Sequence, residues 1–211
     1  MKEGGQVLTN IAEDITIVLL RNKIIDMDDR DIYIYGLQVI LSTLIVTGSL
    51  LTLGIIFHEI PLTLGFMLTF ISLRTYTGGY HANKFNSCFT ISMTIYLGQL
   101  LLSYIVPHDL KITVGISCII ISSLIIYKLS PIEHKNNPLS LNEKTKYRKI
   151  SRIIIAIIFF FTLIGFYINK SAVDFYFMVS LTVMAVAILM LISLLKGGVQ
   201  DEQGKSIESS C

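Results

Sequence analysis

The chain has 211 residues, of which 53% are hydrophobic and 15% charged, and its net charge at neutral pH is +2. Soluble domains carry about 25% charged residues. This composition excludes an ordinary soluble domain and predicts a compact membrane protein with several spans. The nearly balanced charge gives no reason to expect a nucleic-acid partner. Three cysteines in unlike surroundings give no disulfide framework.

Residues 1–30 form a polar arm before the first long apolar segment, and we expect no signal peptide there because no apolar core precedes a small-residue cleavage site. Apolar side chains recur in the arm at helical spacing, which predicts an amphipathic helix. Such a helix fits either the cytoplasmic membrane interface or the cytoplasmic face of a helix bundle, and we adopt the interfacial placement. The recurring positions are Leu8, Ile11, Ile15, Val18 and Ile25.

Six apolar segments follow and predict an all-α, polytopic membrane domain over residues 31–195, with about six transmembrane helices. A span needs roughly 20 apolar residues to cross a hydrocarbon core of about 30 Å. The second segment has 14 residues, or about 21 Å of helix, and is expected to end early. The segments are 32–57, 60–73, 85–107, 112–127, 153–169 and 175–195.

The distribution of basic residues predicts the orientation. Of the 17 Lys and Arg residues, only Lys111 and Lys170 fall in the loops that would face outward if the N-terminus were cytoplasmic. Basic loops remain on the cytoplasmic side of a membrane. We therefore predict a multi-pass protein of the cell membrane with both termini in the cytoplasm. The polar residues 196–211 predict a disordered cytoplasmic tail.

The segment 74–88, between the second and third apolar segments, contains most of the reactive side chains. A thiol such as that of Cys88 attacks as the thiolate, and a neighbouring base such as His81 takes its proton. Seven residues on a straight helix would separate this pair by about 10.5 Å, too far for a hydrogen bond. Chemistry by the pair therefore requires a bend, which Gly78 and Gly79 permit.

Other residues of this segment have two interpretations each. Arg74 is either an interfacial anchor or a cation for a substrate carboxylate or for the Cys88 thiolate. The amides of Gly78 and Gly79 either donate to an oxyanion or simply follow the end of a helix. Cys118 lies mid-span and is interpreted as a small buried apolar residue.

A basic loop is predicted over residues 130–151, and Pro131 and Pro138 bracket a turn-rich piece at its beginning. Its charges serve either as an ordinary cytoplasmic retention signal or as a patch for an acidic partner or anionic lipid. The candidate contacts to a substrate tail are Lys144, Lys146, Arg148 and Lys149.

Arg74, the Gly78-Gly79 pair, His81-Ala82 and Cys88, together with the downstream Ser-Pro-Ile-Glu-His-Lys-Asn-Asn-Pro-Leu and its basic run, resemble the accessory gene regulator protein B (AgrB) family. The resemblance covers nearly the whole chain. It implies a membrane cysteine endopeptidase of Gram-positive quorum sensing that processes an AgrD-like propeptide into a cyclic thiolactone or lactone.

By position, the resemblance implies that Cys88 is the nucleophile, that His81 is the general base and that Arg74 and Gly79 are supporting residues. It also implies a homodimer in the lipid bilayer that needs no metal or other cofactor. A third catalytic residue is left open among Asn83, Asn86 and Glu133.

Two other classes of function remain as alternatives. A small membrane transporter would also consist of about six helices, but its spans usually carry charges along a path, whereas here the charges lie at span ends. A structural or sensor membrane protein with an incidental Cys and His is the second alternative. Cleavage of a propeptide distinguishes both from a peptidase.

Overall fold

The computed structural model describes residues 3–77, 85–132 and 141–208, and these contain seven α-helices and no β-strand. A chain exposed to lipid is expected to form helices, because every backbone N–H and C=O is then satisfied within its own segment. The all-α fold class is confirmed. The helices are α1 (Glu3–Arg21), α2 (Arg30–Ile56), α3 (Ile60–Thr77), α4 (Phe85–Ile105), α5 (His108–Leu129), α6 (Leu141–Ile168) and α7 (Val173–Glu208).

Among the described residues, four helical segments are long and apolar enough to cross a membrane. These belong to α2, α5, α6 and α7, and α4 contributes a shorter apolar stretch, Phe89–Ile105. The protein is therefore a membrane protein with four candidate spans. Helices α3 and α4 occupy the two remaining predicted segments, and their crossing of the membrane stays a prediction.

Several helix bounds differ from the predicted segments, among them those of α3, α6 and α7. Helix α3 has 18 residues, or about 27 Å, because it continues beyond Leu73 through Arg74 to Thr77. Helix α6 begins at Leu141, within the predicted basic loop, and Glu143 in its first turn interacts favourably with the helix dipole. Helix α7 extends to Glu208, beyond the last apolar segment, and the disorder predicted for residues 196–211 stays a prediction.

The chain divides into two compact units. One contains Met1–Glu59 and Ala82–Thr94, and the other contains Ile60–His81 and Ile95–Cys211. In the first unit α1 packs on α2. Its buried side chains, Leu8, Ala12 and Thr16, lie one turn apart, and the Thr16 hydroxyl donates to the Ala12 carbonyl at 2.7 Å.

The apolar side chains predicted for the amphipathic arm are divided between two surfaces of this first unit. Leu8 and Ile25 are buried, whereas Ile11, Ile15 and Val18 are exposed. An exposed apolar stripe at helical spacing is what an interfacial helix presents to lipid. The interfacial placement of residues 1–30 stays a prediction.

In the second unit, helix α7 packs against α3, α5 and α6, and aromatic rings of α6 and α7 lie on glycines of neighbouring helices. A Cβ at Gly65 of α3 would lie 2.8 Å from the Phe175 ring, and one at Gly115 of α5 would lie 2.6 Å from the Phe166 ring. Gly165 of α6 is covered in the same way by Tyr176. Small residues let membrane helices approach closely, so these contacts fix the packing of the four helices.

Polar contacts inside this unit are few and specific. The hydroxyls of Thr63 on α3 and Tyr96 on α4 lie 2.7 Å apart, and the Thr182 hydroxyl of α7 lies 2.9 Å from the Gln99 carboxamide oxygen of α4. All four residues are buried. Hydrogen bonds of this kind join neighbouring helices in an apolar interior.

Candidate functional site

The last turn of α3 carries Arg74, the first residue of the predicted reactive segment. Its side chain is half-buried, and the guanidinium carbon lies 5.5 Å from the centre of the Phe70 ring one turn earlier. Such a contact stabilises a cation that is partly removed from water. The structure therefore places Arg74 at the end of an apolar helix, with its charge held close to the protein.

Two contacts join the end of α3 to the chain around α6, and a third holds α6 to the segment after α5. The amide of Ile132 donates to the carbonyl of Thr77 at 3.0 Å. The rings of Tyr76 and Tyr147 meet edge to face, with centroids 6.0 Å apart. The hydroxyl of Ser130 donates to that of Ser151 at 2.7 Å in a buried position. The two regions that the sequence singled out, around Arg74 and around residues 130–151, thus meet at one end of the second unit.

A further pair of contacts fixes α6 to the end of α5. Arg152 lies over the ring of Tyr127, with its guanidinium carbon 4.4 Å from the ring centre. The same guanidinium donates through Nε to the Tyr127 carbonyl at 3.3 Å. The early turns of α6 are consequently held from two sides, by α3 and by α5.

The four basic residues predicted to hold a substrate tail lie on helix α6, not on a loop. Lys144 is half-buried, whereas Lys146, Arg148 and Lys149 are exposed. A helix distributes its side chains around 3.6 residues per turn, so the four charges cannot all face the same neighbour. The sequence prediction treated them as one patch, and the structure separates them.

The proposed catalytic pair is described only in part. Gly78, Gly79 and His81 lie outside the described residues, as do Asn83 and Glu133 among the candidates for a third catalytic residue. Cys88 lies in the first turn of α4, and only its backbone position is described. The proximity of His81 to Cys88 therefore stays a prediction.

A model of the accessory gene regulator B family matches residues 12–195, which is most of the chain. The chain belongs to the accessory gene regulator B family. It is 30% identical over 141 residues to the "Putative AgrB-like protein 2" of Clostridium perfringens strain 13, covering 64% of this chain and 66% of the relative. This match therefore spans just under two thirds of that relative's length.

Two further relatives agree. The "Putative AgrB-like protein" of Clostridium perfringens strain SM101 is 28% identical, with 64% of this chain and 66% of the relative covered. The "Accessory gene regulator protein B" of Staphylococcus intermedius is 29% identical over 127 residues, with 58% of this chain and 64% of the relative covered. No solved structure matches this AgrB chain.

Sequence reasoning missed several residues that shape this end of the AgrB chain. Tyr76, Tyr147 and Ser151 make the contacts between helices, yet none belongs to a reactive residue type. The available signal was spacing, because Lys144, Tyr147, Ser151 and Ile155 recur at helical intervals. That pattern predicts one side of a helix that begins well before the apolar segment.

The remaining reactive side chains do not form a second site among the residues that the structure describes. Cys118 is a partly buried free thiol within α5. His58 and His108 lie at the two outer ends predicted for α2 and α5. No group of three or more metal-binding side chains is found in the described part of the chain.

Proposed function

We propose that this chain is a membrane-embedded cysteine endopeptidase that cleaves an AgrD-like propeptide on its C-terminal side and helps to form a cyclic thiolactone or lactone for quorum sensing. The observation that carries this proposal is the family match over residues 12–195, because the matched range contains Arg74, Gly78-Gly79, His81 and Cys88. The proposed partners are the propeptide, the bilayer and a second copy of the chain.

In the proposed mechanism, His81 accepts the proton of Cys88, and the thiolate attacks a backbone carbonyl of the propeptide. The C–N bond then breaks, His81 protonates the departing amine, and the peptide remains as a thioester on Cys88. A Cys or Ser side chain of the same peptide attacks this thioester, closes the ring and releases the Cys88 sulfur. The second step exchanges one thioester for another, so closing a thiolactone ring from the Cys88 thioester is nearly isoenergetic.

The described geometry supports two parts of this mechanism. Cys88 lies in the first turn of α4, where the helix dipole favours a thiolate over a thiol. Arg74 provides a half-buried cation at the end of α3, suited to a substrate carboxylate. A site at membrane depth would exclude water, which would protect a thioester from hydrolysis.

The decisive experiment is propeptide cleavage by the full chain in lipid vesicles, with products identified by mass spectrometry. Replacing the nucleophile by Cys88→Ala or Cys88→Ser is expected to lower the rate by at least about a thousandfold. Cys118→Ala is the matched control and should retain the wild-type rate, because Cys118 lies within the span α5. A Cys88→Ala chain that cleaves at a comparable rate would remove Cys88 as the nucleophile. A wild-type chain that cleaves no propeptide would remove the peptidase and leave the transporter or sensor alternatives.

A further inference from the structure

We propose that one side of the early turns of α6, formed by Lys144, Tyr147 and Arg148, binds a carboxylate-bearing segment of the peptide substrate. Lys146 and Lys149 lie toward the other side and contact lipid headgroups or solvent. This inference rests on the proposed function and deepens it. Of the four basic residues that the sequence predicted to hold a substrate tail, it assigns Lys144 and Arg148 to peptide binding and excludes Lys146 and Lys149.

The helical register of α6 makes this separation. Each residue turns a helix by about 100°, so side chains three, four and seven positions apart share one side. Lys144, Tyr147 and Ser151 have that spacing, and Arg148 follows Lys144 by one turn. By the same geometry, Lys149 points almost directly away from Ser151. Lys146 lies on the same side of the helix as Lys149.

Burial agrees with the register. Ser151 is buried and Ile155 is 2% exposed, so their side of α6 faces the protein. Lys144 and Tyr147, on this side, are half-buried. Lys146 and Lys149 are exposed. Arg148 is also exposed, which places it at the edge of the protein-facing side.

The protein-facing side of α6 meets the end of α3 that carries Arg74. The Tyr76–Tyr147 ring contact joins the two helices directly, with centroids 6.0 Å apart. The Ser130–Ser151 hydrogen bond, one turn further along α6, prevents rotation of that side away from the bundle. Tyr147 is consequently a positioning residue, because its ring sets the direction in which Lys144 and Arg148 are presented.

The cations on this side of α6 favour an acidic peptide as the ligand. A cation that is partly removed from water forms strong charge-assisted hydrogen bonds with carboxylates, whereas a fully exposed cation is hydrated and screened by salt. A peptide delivered to the end of α3 would reach Lys144 and Arg148 first. Lys146 and Lys149, pointing away, are suited to the anionic surface of a bilayer.

The test compares two double variants with equal changes in charge. Lys144→Gln with Arg148→Gln removes the proposed peptide-binding cations, and Lys146→Gln with Lys149→Gln is the matched control. Propeptide cleavage is measured in vesicles of phosphatidylcholine alone, so that lipid carries no net charge. Loss of the half-buried Lys144 contact should weaken binding about tenfold, and loss of the exposed Arg148 contact by up to about fivefold. KM should therefore rise about ten- to fiftyfold in the first variant, with kcat little changed. The control should change KM by less than about twofold.

Tyr147 supplies an independent measurement of positioning. Tyr147→Phe keeps the ring contact with Tyr76 and should retain the wild-type KM, whereas Tyr147→Ala should raise KM several-fold with kcat retained. A purely structural role would instead lower the amount of folded protein, which size-exclusion chromatography measures. Equal KM values for the alanine and phenylalanine chains, both folded, would remove Tyr147 from the proposal.

A binding assay separates this inference from the proposed function. In a Cys88→Ser chain, anisotropy of a fluorescent hexaglutamate peptide reports carboxylate binding without cleavage. Loss of binding in the Lys144 and Arg148 variant, with binding retained in the control, supports the surface even if wild-type protein cleaves no propeptide. Equal effects of the two variants would overturn it. An effect seen only in vesicles containing phosphatidylglycerol would also overturn it, because the basic residues would then be contacting lipid.

Discussion

The two ends of helix α6 differ in how they are held. At the end near Ile168, Tyr176 lies on Gly165, and Phe166 packs with Phe177 and Val173 in a buried apolar cluster. At the beginning, near Leu141, the contacts include an edge-to-face pair of tyrosine rings, a serine–serine hydrogen bond and the contact of Arg152 with Tyr127. The basic side chains nearby are half-buried or exposed. Apolar packing holds the end near Ile168 rigidly. The end near Leu141 carries basic side chains and is held by specific ring and hydrogen-bond contacts.

The packed end also contains the most buried charge that the structure describes with a partner. Lys111 of α5 is 8% exposed and is paired with Asp174 in the first turn of α7. An ion pair among apolar neighbours holds two helices in register, but one pair does not form a path for ions or solutes. Charge therefore has a structural use at the packed end, whereas the use proposed for it at the basic end is recognition.

The largest expected effect concerns the sides of the membrane on which the two ends lie. In a chain with Cys88, Cys118 and Cys211 changed to Ser, Asn169→Cys probes the packed end and Lys149→Cys the basic end, and both native residues are exposed. A thiol reagent that does not cross membranes should label position 169 in intact cells at least about tenfold more than position 149. Permeabilised cells should label both. Preferential labelling of position 149 in intact cells would reverse the proposed orientation.

A smaller effect is expected from the ion pair at the packed end. Asp174→Leu leaves the buried Lys111 charge uncompensated and should destabilise the chain by about 2–3 kcal/mol, in the lower part of the usual range because Asp174 is half-exposed. Adding Lys111→Leu should restore most of this loss. Unfolding in detergent micelles measures both chains. A double variant as unstable as the single one would show that the pair does not couple α5 to α7.

The smallest effect is expected at the glycine beneath Tyr176. Gly165→Ala inserts a methyl group where the Tyr176 ring already lies and should cost about 1–2 kcal/mol of unfolding free energy through overpacking. Gly98→Ala is the matched control, because a Cβ there meets nothing within 4 Å. Propeptide KM should be unchanged in both chains. An altered KM in Gly165→Ala would mean that the two ends of α6 are not independent.

The apolar segments of the sequence located the helices well, but their bounds depended on contacts that no segment contains. Helix α3 continues past its apolar run because Arg74 is accommodated over Phe70. Helix α6 begins at Leu141 because Tyr147 and Ser151 find partners on α3 and beside α5. Periodicity along one helix indicates which of its sides is buried, but it does not identify the helix that packs against that side.

The candidate site was predictable in its residue types and not in its arrangement. Reactive chemistry in the segment 74–88 could be predicted because Arg74, His81 and Cys88 occur together there between two apolar segments. The four basic residues can be divided between two sides only if they are known to lie on a helix. The sequence pattern around Pro131 and Pro138 indicated a loop instead. Lys111 was interpreted as a loop cation because Asp174 lies 63 positions later.

The hydrogen bond between Gln99 and Thr182 has a consequence for biogenesis. The two residues are separated by 83 positions, so α4 leaves the ribosome long before α7 exists. If α4 crosses the membrane as predicted, the Gln99 carboxamide without this partner raises the free energy of the nascent chain by several kcal/mol. Helix α4 therefore reaches its most stable position only once α7 has been made. Helix α7 thus holds α4 in place, and the helices assemble in the order in which they are synthesised.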